Sequence, residues 1–155
     1  MSAQPHTAHD NASLIADGLP TDLFIGGQWR PGAGGQRIDV VNPSDERVIA
    51  SVADASIADA IAAVDAAASA LPEFSRTPAR QRADMLRRCF ELMVRDRDRI
   101  AHLISLENGK SLKDAQGEVS YAAEFFRWFS EEAVRINGDL GAAPSGNNRI
   151  LVTYQ

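Results

Sequence analysis

Residues 106–139 read LENGKSLKDAQGEVSYAAEFFRWFSEEAVRINGD, and the architecture of the chain turns on how this stretch folds. Asn108-Gly109 marks a helix end, because glycine enters the left-handed conformation that closes a helix without a Cβ penalty. Ser111 with Asp114 three places on is a capping pair that opens the next helix. Val119, Ala123, Phe126, Phe129 and Val134 then recur at helical spacing, which predicts one helix running toward Asn137-Gly138 with those side chains inward. Phe125, Phe126, Trp128 and Phe129 put four large aromatics in five positions. Neighbours on a helix are offset by about 100°, so the rings cover more than one face. Part of the set goes to the core, and at least one ring meets another surface, either a partner domain or an apolar pocket.

Upstream, Thr77-Pro78 supplies a capping side chain and a proline suited to a first helical turn. A second helix is therefore expected from there to Asn108, with Leu86, Phe90, Met93, Ile100 and Ile104 inward. A first helix opens at Ser56 and Asp59 and keeps Ile57, Ile61, Val64, Ala68 and Leu71 on one face until Pro72. Before it the texture is extended: Leu23 to Ile25, a Gly26-Gly27 turn, Gln28 to Arg30, a loop, Arg37 to Val41, an Asn42-Pro43-Ser44-Asp45 turn, then Arg47 to Val52. That predicts a small antiparallel meander. Its glycines lack both phosphate-loop spacings, G-x-G-x-x-G and G-x-x-x-x-G-K-[ST], so hairpin turns account for them. Downstream, a loop from Ala142 to Asn148 leads into Arg149 to Gln155, whose alternation reads as a strand. Met1 to Asp22 holds no sustained period and is expected to be a disordered leader.

Composition bounds the function. A chain of 155 residues that is 45% hydrophobic can build one ordinary domain. Its net charge of -5 argues against nucleic-acid binding, and charges interrupt every apolar run well short of a membrane span. One cysteine and no signal-like N-terminus predict a cytoplasmic protein without disulfides. His6 and His9 have H-x-x-H spacing but lack the helix and further ligands a metal needs. Cys89, beside Phe90 at core spacing, is expected to be a buried structural cysteine, and His102 to face solvent. With a single histidine in the folded part, no Cys-His or Ser-His-Asp set can be assembled. Glu118, Glu124, Glu131 and Glu132, with Arg127 and Arg135 nearby, read as a salt-bridged solvated face rather than an acid-base pair.

Several segments together resemble the aldehyde dehydrogenase superfamily. Leu23-Phe24-Ile25-Gly26-Gly27-Gln28-Trp29 is similar to its opening "hINGxW" hairpin, and Val41-Asn42-Pro43 to its "VNP" turn. Ala66-Ala67 through Leu71-Pro72 resembles the "AxxAxxxW" helix and its exit, with Phe74 in place of tryptophan. Leu106-Glu107-Asn108-Gly109-Lys110-Ser111-Leu112 resembles "LExGKPL", with Ser111 where proline is common. Gly117-Glu118-Val119, Tyr121-Ala122-Ala123, Phe129, Glu131-Glu132, Arg135-Ile136 and Gly138-Asp139 resemble the "GEIxYAAxFxxWFAEExxRIxGD" helix of the succinate-semialdehyde and glutarate-semialdehyde dehydrogenases.

The resemblance implies an α/β fold: residues 23–139 as the N-terminal part of a Rossmann-like cofactor domain, a β-meander plus three helices, and 140–155 as the first strand of an oligomerisation arm. It implies a parent enzyme, a homo-oligomer, that oxidises a small aldehyde, succinate semialdehyde first, to the acid with NAD or NADP. Cysteine attack, hydride transfer and thioester hydrolysis make up that reaction. The family's "GQxC", "ELGG" and "PWN" motifs do not occur in these residues. The expectation is therefore a fragment, inactive as it stands, that binds no cofactor alone and carries no catalytic residue. Since the third helix borders the substrate entrance in the family, Tyr121, Phe125, Trp128 and Phe129 become candidate walls of the substrate channel. Val40, Val41 and Glu107 match a monovalent-cation site of some members, but a further ligand is lacking and no metal is expected. The rival reading is a freestanding helical module whose aromatic face binds a protein partner.

Overall fold

The computed structural model describes residues 18–154. Three antiparallel hairpins and four helices are seen among them. Strands β1 (Leu23–Ile25) and β2 (Gln28–Arg30) pair across Gly26-Gly27, with Phe24 opposite Trp29. Strands β3 (Arg37–Val41) and β4 (Val48–Ala53) pair separately, with a bulge between Val40 and Val41. The expected single meander is thus two hairpins, each a sheet of its own. The loop before β3, lying along Asp54, separates them: the Asp54 N–H donates to Gln36 O at 2.9 Å.

Helix α1 (Ile57–Phe74) starts at a capping box in which Ser56 and Asp59 exchange backbone and side-chain bonds. It runs two residues past Pro72, a small departure from the expected stop, because a proline that lacks one N–H near the last turn removes little of the ladder. The long second helix is in fact two, α2 (Ala79–Arg95) and α3 (Arg97–Asn108), meeting at Asp96. Residues 95–99 are Arg-Asp-Arg-Asp-Arg, with no apolar side chain to hold a continuous helix against a neighbour. Arg95 binds Asp96 through two hydrogen bonds of 2.8 and 2.7 Å, and that guanidinium holds the Asp96 carboxyl below the usual carboxylate range. Asp96 holds the C-cap position of one helix, its N–H donating to Leu92 O, and the N-cap position of the next, where its side chain makes no cap hydrogen bond.

Helix α4 (Leu112–Glu132) begins at the expected Ser111 cap, which accepts from Asp114 N, and ends short of Asn137-Gly138. Gly109 closes α3 at φ 74°, and a Cβ there would lie 2.9 Å from Pro43 Cγ, so the turn before β4 packs on the α3–α4 junction. Strands β5 (Asp139–Ala142) and β6 (Arg149–Val152) form the third hairpin. The stretch expected as a single first strand is thus a hairpin, with Leu140 opposite Leu151. A Cβ on Gly138 would fall 2.0 Å from Val152 O, so only glycine lets the two strands close.

The core lies among α2, α3 and α4. Its buried apolar residues are Ala83, Ala101, Ala115, Val119, Ala123 and Ala133, with Ile100 and Ile104 packed against Ala101, Ala115 and Val119. Leu86, Phe90 and Met93 are half-buried at the same junction. The expected inward stripe of α1 is exposed, Ile57 at 83% and Ile61, Val64 and Leu71 with it, because no described element covers that side. Cys89 is likewise exposed on α2 rather than buried. Ala83 occupies the direction that meets α4, and Cys89, six residues on, is turned about 120° from it. No helix among the described residues is long and apolar enough to cross a membrane. The leader histidines His6 and His9, and Gln155, lie outside the described residues.

Candidate functional site

Helix α4 carries the site, and its orientation is set by its buried side. Ala115, Val119, Ala123 and Ser130 face α2 and α3. Gln116 Nε2 donates to Asp98 Oδ1 of α3 at 3.2 Å, and Lys110 pairs with Glu118 to brace the first turns. Tyr121, Phe125, Trp128 and Phe129 stand at i, i+4, i+7 and i+8, one stripe roughly opposite the buried one. The four rings line an open groove of about 350 Å3, together with Glu124. Tyr121 and Phe125 meet edge to face, centroids 5.0 Å apart at 88°.

Phe129 was expected inward and is 54% exposed. Seven residues bring a helix back to within about 20° of its starting direction, whereas six leave it about 120° away. Counting from Ala123, Ser130 therefore inherits the core position and Phe129 does not. Phe126 is half-buried, and Val134 lies beyond the helix end. The signal for this division is in the sequence: two apolar stripes on one helix, small residues on one and rings on the other.

The groove is apolar and its one acid is paired: Glu124 Oε2 lies 2.7 Å from Arg127 Nη2. Such a surface can grip a small organic molecule and exclude water, and its polar groups are the Tyr121 hydroxyl and the Arg127-paired Glu124 carboxylate. Glu132 pairs with Arg135 at 2.7 Å, so with Glu118 and Glu124 most of the glutamate face is salt-bridged as expected. His102 is half-buried, its Nδ1–H donating to Asp98 O at 2.7 Å in a bond that is itself exposed. Among the described residues no group of three or more His, Cys, Asp or Glu is placed to hold a metal ion. Pro43, two residues after Val41, packs close to Gly109, two residues after Glu107.

The phosphate-loop spacings G-x-G-x-x-G and G-x-x-x-x-G-K-[ST] do not occur in the sequence. A pyrophosphate needs free N–H groups at a helix start behind a glycine turn. At the starts of α1 and α4 the Ser56 and Ser111 side chains accept from Asp59 N and Asp114 N, while α2 and α3 begin without a side-chain cap. Gly26 and Gly27 sit in a hairpin turn, and Gly109 at a helix end.

One feature the sequence reading missed lies beneath α1. Asp59, 1% exposed, accepts from Arg30 Nη2, Ala33 N, Ser56 N and Ser56 Oγ at 3.0, 3.0, 3.0 and 2.7 Å. The Ala33 N–H, then the Ser56 hydroxyl and N–H, hold its carboxyl below the usual carboxylate range; burial opposes them and the Arg30 charge assists. Its capping role is local and legible, while its hold on β2 spans 29 residues.

The sequence pattern of the aldehyde dehydrogenase family matches residues 29–155. The chain is 40% identical over 144 residues to the mitochondrial succinate-semialdehyde dehydrogenase of Homo sapiens, covering 93% of this chain and 26% of that protein. It is 41% identical over 132 residues to the glutarate-semialdehyde dehydrogenase of Pseudomonas putida, covering 85% and 28%. The crystal structure of an aldehyde dehydrogenase from Brucella melitensis superposes with a TM-score of 0.79 at 41% identity, covering 83% of this chain and 27% of that one. The chain thus spans about a quarter of the length of the relatives it matches.

Proposed function

The chain belongs to the aldehyde dehydrogenase family, and from that membership we propose that it supplies the N-terminal region of an enzyme oxidising a semialdehyde to its acid. Succinate semialdehyde is the first candidate, and NAD or NADP the hydride acceptor. The substrate class is supported by identities of 40% and 41% to succinate- and glutarate-semialdehyde dehydrogenases. The freestanding interaction module gives way to this reading, because the family match runs through the helices that such a module would need.

The observation that carries the chain's own role is the groove on α4. In this proposal Tyr121, Phe125, Trp128 and Phe129 form one wall of the aldehyde's approach. Their rings hold the methylenes and shed water, while the paired Glu124 keeps the rim from repelling an acid tail. No bond-making step falls to them. In this proposal Cys89, exposed on α2, is not the nucleophile, and the chain alone turns over nothing. The same reading places the protein in the cytoplasm as a homo-oligomer, although the human relative is named as mitochondrial.

A chimera tests the proposal. Residues 29–155 would replace the matching segment of the Pseudomonas putida enzyme, and semialdehyde-dependent NAD(P)H formation would be followed. Turnover should persist, and Phe125→Ala with Trp128→Ala should raise KM about tenfold with kcat little changed, the loss of roughly 1.4 kcal/mol of uniform binding. An unchanged KM removes the wall from the proposal. A folded chimera that prefers uncharged aldehydes removes the semialdehyde.

A further inference from the structure

We draw no further inference here: the strongest candidate, the apolar stripe that Ile57, Ile61, Val64 and Leu71 lay along the exposed side of α1, carries nothing because nothing in the structure shows what covers it.

Discussion

Asp59 joins three pieces of chain at one carboxylate: the start of α1, the end of β2 and the loop at Ala33. Its pKa is depressed in the folded state, so the stability it contributes is present at neutral pH and is lost as pH falls below the ordinary aspartate range. Asp59→Asn should lower the melting midpoint at pH 7 and flatten the acid limb of a stability-versus-pH curve. An acid limb identical to the parent's would place its origin elsewhere. Gly109 is a second residue with a sharp requirement. At φ 74° and against Pro43, Gly109→Ala meets both left-handed strain and a close contact. The cost should be about 1–2 kcal/mol in urea unfolding, and no change in midpoint would mean that the Pro43 turn yields freely.

At the scale of elements, α4 shows what a helix with two apolar sides can do. The small stripe sets its seating and the aromatic stripe its outward face, so substitutions on the two should differ in kind. Ser111→Ala removes the N-terminal cap and should cost about 1 kcal/mol of stability by denaturant melt. Phe129→Ser should leave stability within about 0.5 kcal/mol; a loss above 2 kcal/mol would show the ring packed in a core. The caps at Ser56 with Asp59 and Ser111 with Asp114 are legible in the sequence because they act over three residues, whereas the expected Thr77 cap is not made, α2 beginning after Pro78 without a side-chain cap hydrogen bond. The break at Asp96 was missed because the apolar period from Leu86 to Ile104 runs through it, although five consecutive charges mark the spot. β5 was missed because Asp139-Leu140-Gly141-Ala142 has no alternation of its own and takes its strand form from β6.

At the scale of the molecule, the candidate site was legible further than the core. The spacing that places Tyr121, Phe125, Trp128 and Phe129 together is local to one helix, whereas burial depends on what lies opposite. Ile57, Ile61 and Leu71 have the pattern of a buried face without a described surface to receive it. Phe24, Trp29, Leu140 and Leu151 are exposed as well. Purified 1–155 should therefore be helical by circular dichroism, bind a hydrophobic dye and sediment as concentration-dependent oligomers. A monodisperse monomer with a sharp cooperative melt would contradict this. The same preparation should form no NAD(P)H from succinate semialdehyde, and turnover that vanishes in Cys89→Ser would overturn that expectation.

The buried apolar residues of the helical trio are five alanines and one valine. Cohesion then comes from how near the backbones approach, and less from the bulk of any side chain. Tolerance to change is inverted relative to a core of leucines. Shaving atoms from Ala101 or Ala115 leaves little to lose, whereas a single added branch forces two helices apart. A saturation scan of these positions would trace an upper limit on size with scant preference for greasiness, glycine and serine surviving where leucine and phenylalanine fail. Drift in this part of the sequence is thus governed by a clearance.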